Sequence, residues 1–448
     1  MAPAVAPTQA AIAATKPTDT VAPKPTNPPA QSTKAKITFY TTGGQPTIDC
    51  LNANTVGSFM KENPNIQVEV LPVPENWDQT IKTMLAGGGG PDIISELGPS
   101  TVVDMAKAGQ VLSLDNFSAL YGWKDRFVPW AFNTGMVDGK LYMLPSQIET
   151  LVLYYDKALF SEKGWTPPKT IDELVALGAT IKKAGLNPFA AGGHPEWQPE
   201  NEWFMGEFLN HVPQSGPQAV YETLTGKRKW TDPEFVKATK ILSDMMTNGW
   251  FGGSLDRYMA LSNADKDPQL ATGKAAMMIE GTWAIPDLVT AYKDANNGKD
   301  WDWVPMPSTS GETYFDLAIG TIYAINKNSK YPEAAAKYLD YMFNPQQQAI
   351  LFSECGLAPG PVPFDKSLAM KVDPRWVDIL SKMAESAKTG NYGYTTWTFW
   401  PTKTQQYLIT EVEKVWSGTM TAEEYLKGMQ DTFDADVAAN TLPPIPKR

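Results

Sequence analysis

Cysteine and histidine are almost missing from this chain, with two of each in 448 residues. Cys50, Cys355, His194 and His211 form no C-x-x-C or H-x-x-x-H pair, so zinc held by the usual Cys/His spacing is not expected. No other metal and no cofactor is expected either. Basic residues are also in deficit: 38 against 49 acidic ones leave a net charge of −11. That is the wrong sign for a phosphate backbone or an anionic membrane surface, and nucleic acid is set aside as a partner. There is no run of about 18 apolar residues to span a bilayer, and no signal peptide. An exported form would therefore have lost its signal. Neither G-x-S-x-G nor H-E-x-x-H occurs, which removes the local signatures of serine hydrolases and zincins.

What is present is length and aromatic mass. A chain of 448 residues has room for two or three domains with real cores. Its 15 Trp, 17 Tyr and 17 Phe exceed ordinary packing needs and point to a flat, partly apolar ligand. Residues 1–34 stand apart: after Met1 they are two-thirds Ala, Pro and Thr with no aromatic residue, the composition of an extended, disordered tether. Beyond Lys34, short apolar runs alternate with longer amphipathic stretches, as in α/β domains. Strands are expected at 36–42, 66–70 and 91–95. Helices are expected at 47–62, ending near Asn63-Pro64, at 77–86, at 170–184 behind a Thr170/Glu173 capping box, at 332–343, and over most of 402–440.

Two motifs invite sharper readings. GGGGPD (87–92) lacks the Gly-Lys-Ser/Thr ending of a phosphate loop and follows a helix, so it reads as a helix-to-strand turn. Asp265 and Asp267 in NADKDP look like half a calcium loop, but Pro268 stands where the turn glycine is needed and no closing Glu follows. A carboxylate pair for glycoside hydrolysis has no local signature among 49 acidic residues.

Several segments taken together, KITFYTTGG (36–44), FMKENPNIQVEV (59–70), GGGGPDIISE (87–96), DGKLYMLPSQIETLVLYYDKALFSEKGW (138–165), GKAAMMIEGTW (273–283) and YAINKNSKYPEAAAKYLDYM (323–342), carry a resemblance in register from Lys36 nearly to the end. The chain resembles the extracellular solute-binding proteins of ABC importers, family 1, the carbohydrate-binding group that includes maltose-binding protein. The resemblance implies an α/β, two-lobed periplasmic-binding-protein-like fold with a hinge of crossing strands and an interlobe cleft. The first lobe would be 35–149 and 317–360, the second 150–316 and 361–448.

By the same resemblance the ligand site would include Trp283 as the most secure stacking residue, Glu149 beside the first hinge crossing, and Glu96 after the PDIIS strand. Trp397 and Trp400 would supply a second platform, and Gly43 and Gly44 a turn near the ligand. Trp197, Glu202 and Trp203 lie in a stretch that reaches the cleft in some relatives, whereas Trp301 and Trp303 alternate on a strand and read as core. A sugar suits such a set, because its C–H faces lie on aromatic rings and its hydroxyls need partners once desolvated. Cys50 and Cys355 would share the first lobe, either bridged or as two buried thiols. The implied function is extracytoplasmic capture of a mono- or oligosaccharide by lobe closure and delivery to an ABC importer permease. The protein would be a monomer, periplasmic or held to the membrane only by a lipid anchor on its precursor. The alternatives are a binder of another small solute and a secreted glycan hydrolase.

Overall fold

A computed structural model describes residues 34–41, 44–73, 77–194, 198–364 and 371–447. The tether, apart from Lys34, and the site candidates Gly43 and Trp197 lie outside these residues. In chain order the strands are β1 (Ala35–Thr41), β2 (Ile66–Pro72), β3 (Ile93–Leu97), β4 (Met136–Val137), β5 (Lys140–Leu141), β6 (Met143–Pro145), β7 (Ile148–Glu149), β8 (Leu151–Asp156), β9 (Asn187–Phe189), β10 (Ala275–Gly281), β11 (Trp301–Val304), β12 (Phe315–Ile319), β13 (Thr321–Ile325) and β14 (Tyr392–Tyr394).

Local sequence explains most of these elements. In β1 the inward positions Ile37, Phe39 and Thr41 alternate with more exposed ones, the period of a strand covered on one face. β10, β12 and β13 are buried at every position, as central strands packed on both faces must be. The first helical stretch runs from Gly44 to Glu62, with a wider turn at Asn52–Val56, and stops before Asn63-Pro64. Thr170 and Glu173 form the reciprocal cap expected of them, each accepting a backbone N–H at 3.2 Å. Residues 87–92 turn from the helix Trp77–Ala86 into β3. Trp301 and Trp303 point into the core from β11.

The strands assemble into two main sheets and a connecting one. The first has the order β2-β1-β3-β13-β6, with β1 parallel to β2 and β3, and β13 antiparallel to β3 and β6. The second has the order β11-β8-β10-β9. The small sheet β14-β12-β7 lies between them in the chain path. Only Thr150 separates β7 from β8, and only Gly320 separates β12 from β13, yet each pair divides between different sheets. Two of the chain's crossings between the two α/β lobes are thus side by side, with Ala318 paired to Glu149 and Ile319 to Ile148.

Cys50, in the helix Gly44–Leu51, is bonded to Cys355, at the end of the helix Pro345–Cys355, with Cα atoms 5.6 Å apart and a sequence separation of 305. Of the two states open to these cysteines, the bridge is the one formed. Closing so long a loop restricts the unfolded chain and stabilises by several kcal/mol in the chain-entropy account.

Candidate functional site

The site builds outward from the two crossings. Glu149 ends β7 and is buried, with its carboxyl folded against the backbone of Gly320 so closely that a Cβ at 320 would collide with it. Burial, and secondarily the charge of Glu280, push its carboxyl up to about 8. Gly320 is fixed from both sides: its N–H donates to the Gln147 carbonyl at 2.9 Å and its carbonyl accepts from Gly98 at 3.2 Å.

From the second lobe, β10 ends at Gly281 and the turn Thr282–Ala284 presents Trp283. The indole folds back over Gly281, where any Cβ would strike the ring, so the Gly-x-Trp spacing is a steric requirement. Trp283 is half-buried and touches two other indoles: Trp203 at 5.1 Å between centroids and Trp397 at 5.9 Å, edge-on. Trp203 sits on the helix Pro199–His211, and Trp397 on the short helix Thr396–Phe399. The Trp397 carbonyl accepts from the Ser100 hydroxyl at 2.9 Å, and its backbone lies against Gly98, directly beyond β3. Glu96, the penultimate residue of β3, is wholly buried and pairs in register with Ile322. The aromatic cluster therefore abuts the first lobe at the strand end that carries Glu96.

Charged groups surround these rings. Lys266 stands 5.1 Å over the Trp203 ring and pairs with Glu280 of β10. Burial pulls its ammonium down, but Glu280 and Glu200 more than offset this and the net shift is upward. Glu202 accepts from the Thr396 hydroxyl and, at 2.6 Å, from the Gln405 amide, while burial holds its carboxyl up at about 7. Glu200 takes the Gly192 N–H on both oxygens at 3.0 Å and is raised by burial to about 8. Asn201 and the His194 ring both bond Glu413, at 2.7 and 2.8 Å, bracing the loop before this helix. Such a set offers ring faces to C–H surfaces, and carboxyl, amide and ammonium groups to hydroxyls.

The structure thus brings together Trp283, Trp397, Trp203, Glu202 and, across the crossings, Glu149. Trp400 departs from its expected place. It is fully buried, 4.2 Å from the Trp230 ring inside the second-lobe core, because the chain turns inward after Phe399 to enter the helix Thr402–Trp416. Gly44 opens the helix Gly44–Leu51 in a left-handed conformation, φ 68°. Lys266, Glu280 and Glu200 were not singled out from sequence. Glu280 carried a signal, an acid inside the apolar run AAMMIEG, since a charge there requires a buried partner. Lys266 lies in the NADKDP motif, where Asp265 accepts from the Ser262 N–H and hydroxyl at 2.8 and 2.7 Å and so shapes a turn.

Residues 45–349 match the family described as bacterial extracellular solute-binding protein. This chain belongs to that family. As a member it is an extracytoplasmic binding protein of the ABC transporter class. It is similar to the multiple sugar-binding protein of Streptococcus mutans, at 25% identity over 70% of this chain and 72% of that one. It is also similar to the diacetylchitobiose binding protein NgcE of Streptomyces coelicolor, at 26% identity over 82% of this chain and 77% of the relative. Among solved structures, one from work on xylan utilization by Caldanaerobius polysaccharolyticus superposes with a TM-score of 0.73 at 27% identity, covering 88% of this chain and 99% of that one.

Proposed function

We propose that this solute-binding protein captures a mono- or oligosaccharide between its lobes and delivers it to an ABC importer permease, without catalysis. The observation that carries the reading is the triple indole cluster Trp203–Trp283–Trp397, ringed by buried carboxyls, where the lobes meet. A sugar ring is the solute that uses both halves of such a surface. In this reading the lobes are 35–149 with 317–360, and 150–316 with 361–448. Trp283, Trp397, Trp203, Glu149, Glu96 and Glu202 contact the ligand, with Gly44 near the turn. The chain acts as a monomer, with residues 1–34 as a spacer from a lipid-anchored end of the precursor. Two relatives named for sugar or diacetylchitobiose binding support the solute class.

The test is a thermal-shift screen over mono- and oligosaccharides, followed by chromatography of the recovered ligand. A cognate sugar at about 100 times its dissociation constant adds roughly 2.7 kcal/mol of stability and is returned intact. If no carbohydrate raises the melting temperature, or if the recovered sugar is cleaved, the reading fails.

A further inference from the structure

The helix Pro199–His211 is buried along its whole length although six of its residues are Glu, Asn or His. Its first half wires those groups into the site. Its far end carries Glu207 and His211, one turn apart on the same face, and Asp316 of the connecting strand β12 lies against them. We propose that Glu207, His211 and Asp316 bind one divalent transition-metal ion of the zinc class, tying the Trp203 helix to the hinge strand.

Four observations point there. The three side chains are 1–2% exposed, and their donor atoms lie within 4.8 Å of one another. Nε2 of His211 stands 3.4 Å from Oε2 of Glu207 and 3.4 Å from Oδ1 of Asp316. Those separations are long for hydrogen bonds, but they match the spacing of donors sharing an ion at about 2.0–2.1 Å in tetrahedral geometry. Both ring nitrogens of His211, and Oε2 of Glu207 and both oxygens of Asp316 when the two acids are ionised, have no hydrogen-bond partner among the described residues. Buried polar groups are nearly always satisfied, so Nε2 of His211, Oε2 of Glu207 and Oδ1 of Asp316, close together and unbonded, call for something between them. Finally, among the described residues neither carboxylate pairs with a Lys or Arg. A divalent ion between the two acidic side chains would supply the positive charge that no Lys or Arg brings there.

The surroundings hold the three donors in place. The Tyr314 ring stacks on His211 at 4.5 Å and 21°. The Asn210 amide bonds the Gly206 and Tyr394 carbonyls at 3.0 and 3.1 Å. Gly393 is required beside Asp316, because a Cβ there would overlap its carboxylate. One imidazole with two carboxylates suits zinc, manganese or cobalt, whereas calcium and magnesium favour all-oxygen sets. This donor set lies outside the Cys/His spacings whose absence argued against zinc in the sequence. It becomes legible only when the fold brings Asp316 to the helix.

The experiment uses the full chain without an affinity tag. Metal content is measured as purified, after unfolding and refolding in chelator, and after refolding with zinc or manganese. The expected result is one equivalent per chain, a melting temperature raised by about 5 °C in the metal-refolded form, retention in His194→Gln and loss in Asp316→Asn. In the His194→Gln background His211 is the sole histidine, so X-ray absorption showing one imidazole among nitrogen and oxygen donors places the ion even if Asp316→Asn fails to fold. Less than a tenth of an equivalent in every refolded sample, with unchanged melting, would overturn the site. Full retention in a folded Asp316→Asn would overturn it as well.

Discussion

Two tryptophan clusters lie in the second lobe, and the sequence makes them look alike. In one, Trp230 and Trp400 pack at 4.2 Å with Phe235 and Phe433 around them, and neither indole meets solvent. In the other, Trp203, Trp283 and Trp397 meet at 5.1 and 5.9 Å, Trp283 is half-buried, and Lys266 stands over Trp203 with Glu280 paired to it. The first surrounds its rings with more rings and aliphatic side chains. The second surrounds them with charge. What separates a platform from a core is therefore the polar company of the rings, since only polar neighbours give a sugar hydroxyl a partner. Counting aromatic residues cannot make that distinction.

The sharpest way to break the comparison is to remove one ring from each cluster. Trp400→Ala leaves a large cavity against Trp230 and is expected to cost about 3–5 kcal/mol of unfolding free energy. Denaturant titration of the unliganded protein measures this, and a variant of wild-type stability with weakened sugar binding would move Trp400 back to the site. Trp283→Ala should do the reverse. Its expected loss is about 2–4 kcal/mol of binding, or 30- to 1000-fold in affinity by calorimetry on the cognate sugar. Its unliganded melting temperature should fall by only a few degrees, because the ring is half-buried already. Equal losses in stability for the two variants would erase the difference between the clusters.

Much of this was readable in the sequence, for identifiable reasons. Alternation in KITFYTT, the Thr170/Glu173 box and the stop at Asn63-Pro64 are local signals, and each element formed where they placed it. Trp283 was singled out by resemblance, and the structure adds that Gly281 must lack a side chain for the indole to fold back, which ties the pair at fixed spacing. Trp397 and Trp400 were indistinguishable because they are three residues apart on one turn, and only the direction in which the chain leaves Phe399 assigns one to the cleft edge and the other to the core. Lys266 escaped because its meaning comes from Glu280, on a strand that only tertiary packing brings to it. Pairings of that kind are properties of the fold and leave no periodicity in the chain.

The smallest expected effect on binding concerns Glu149, and it sharpens the comparison by asking which charges around the second cluster are present at neutral pH. Burial, then the charge of Glu280, hold its folded pKa near 8, against about 4.5 in an unfolded chain. A carboxyl with a raised folded pKa contributes stability that is fully present below the unfolded value and is lost as pH rises through the folded one. The window is therefore pH 4.5 to 8, and the unliganded protein should weaken across it. Glu200, near 8, and Glu202 and Asp267, near 7, act in the same direction. Glu149→Gln removes one of these protons, so its stability should fall less steeply than wild type, by up to about 1.4 kcal/mol per pH unit. Urea titrations at pH 5, 6.5 and 8 compare the slopes, and parallel lines would mean that Glu149 is ionised in the folded state. The same protonation sets the binding result. At pH 6 a neutral carboxyl and an amide both donate to a sugar hydroxyl, so Glu149→Gln should cost less than about 1 kcal/mol. Above pH 8 the wild-type residue becomes a carboxylate that only accepts, and the two affinities should then diverge.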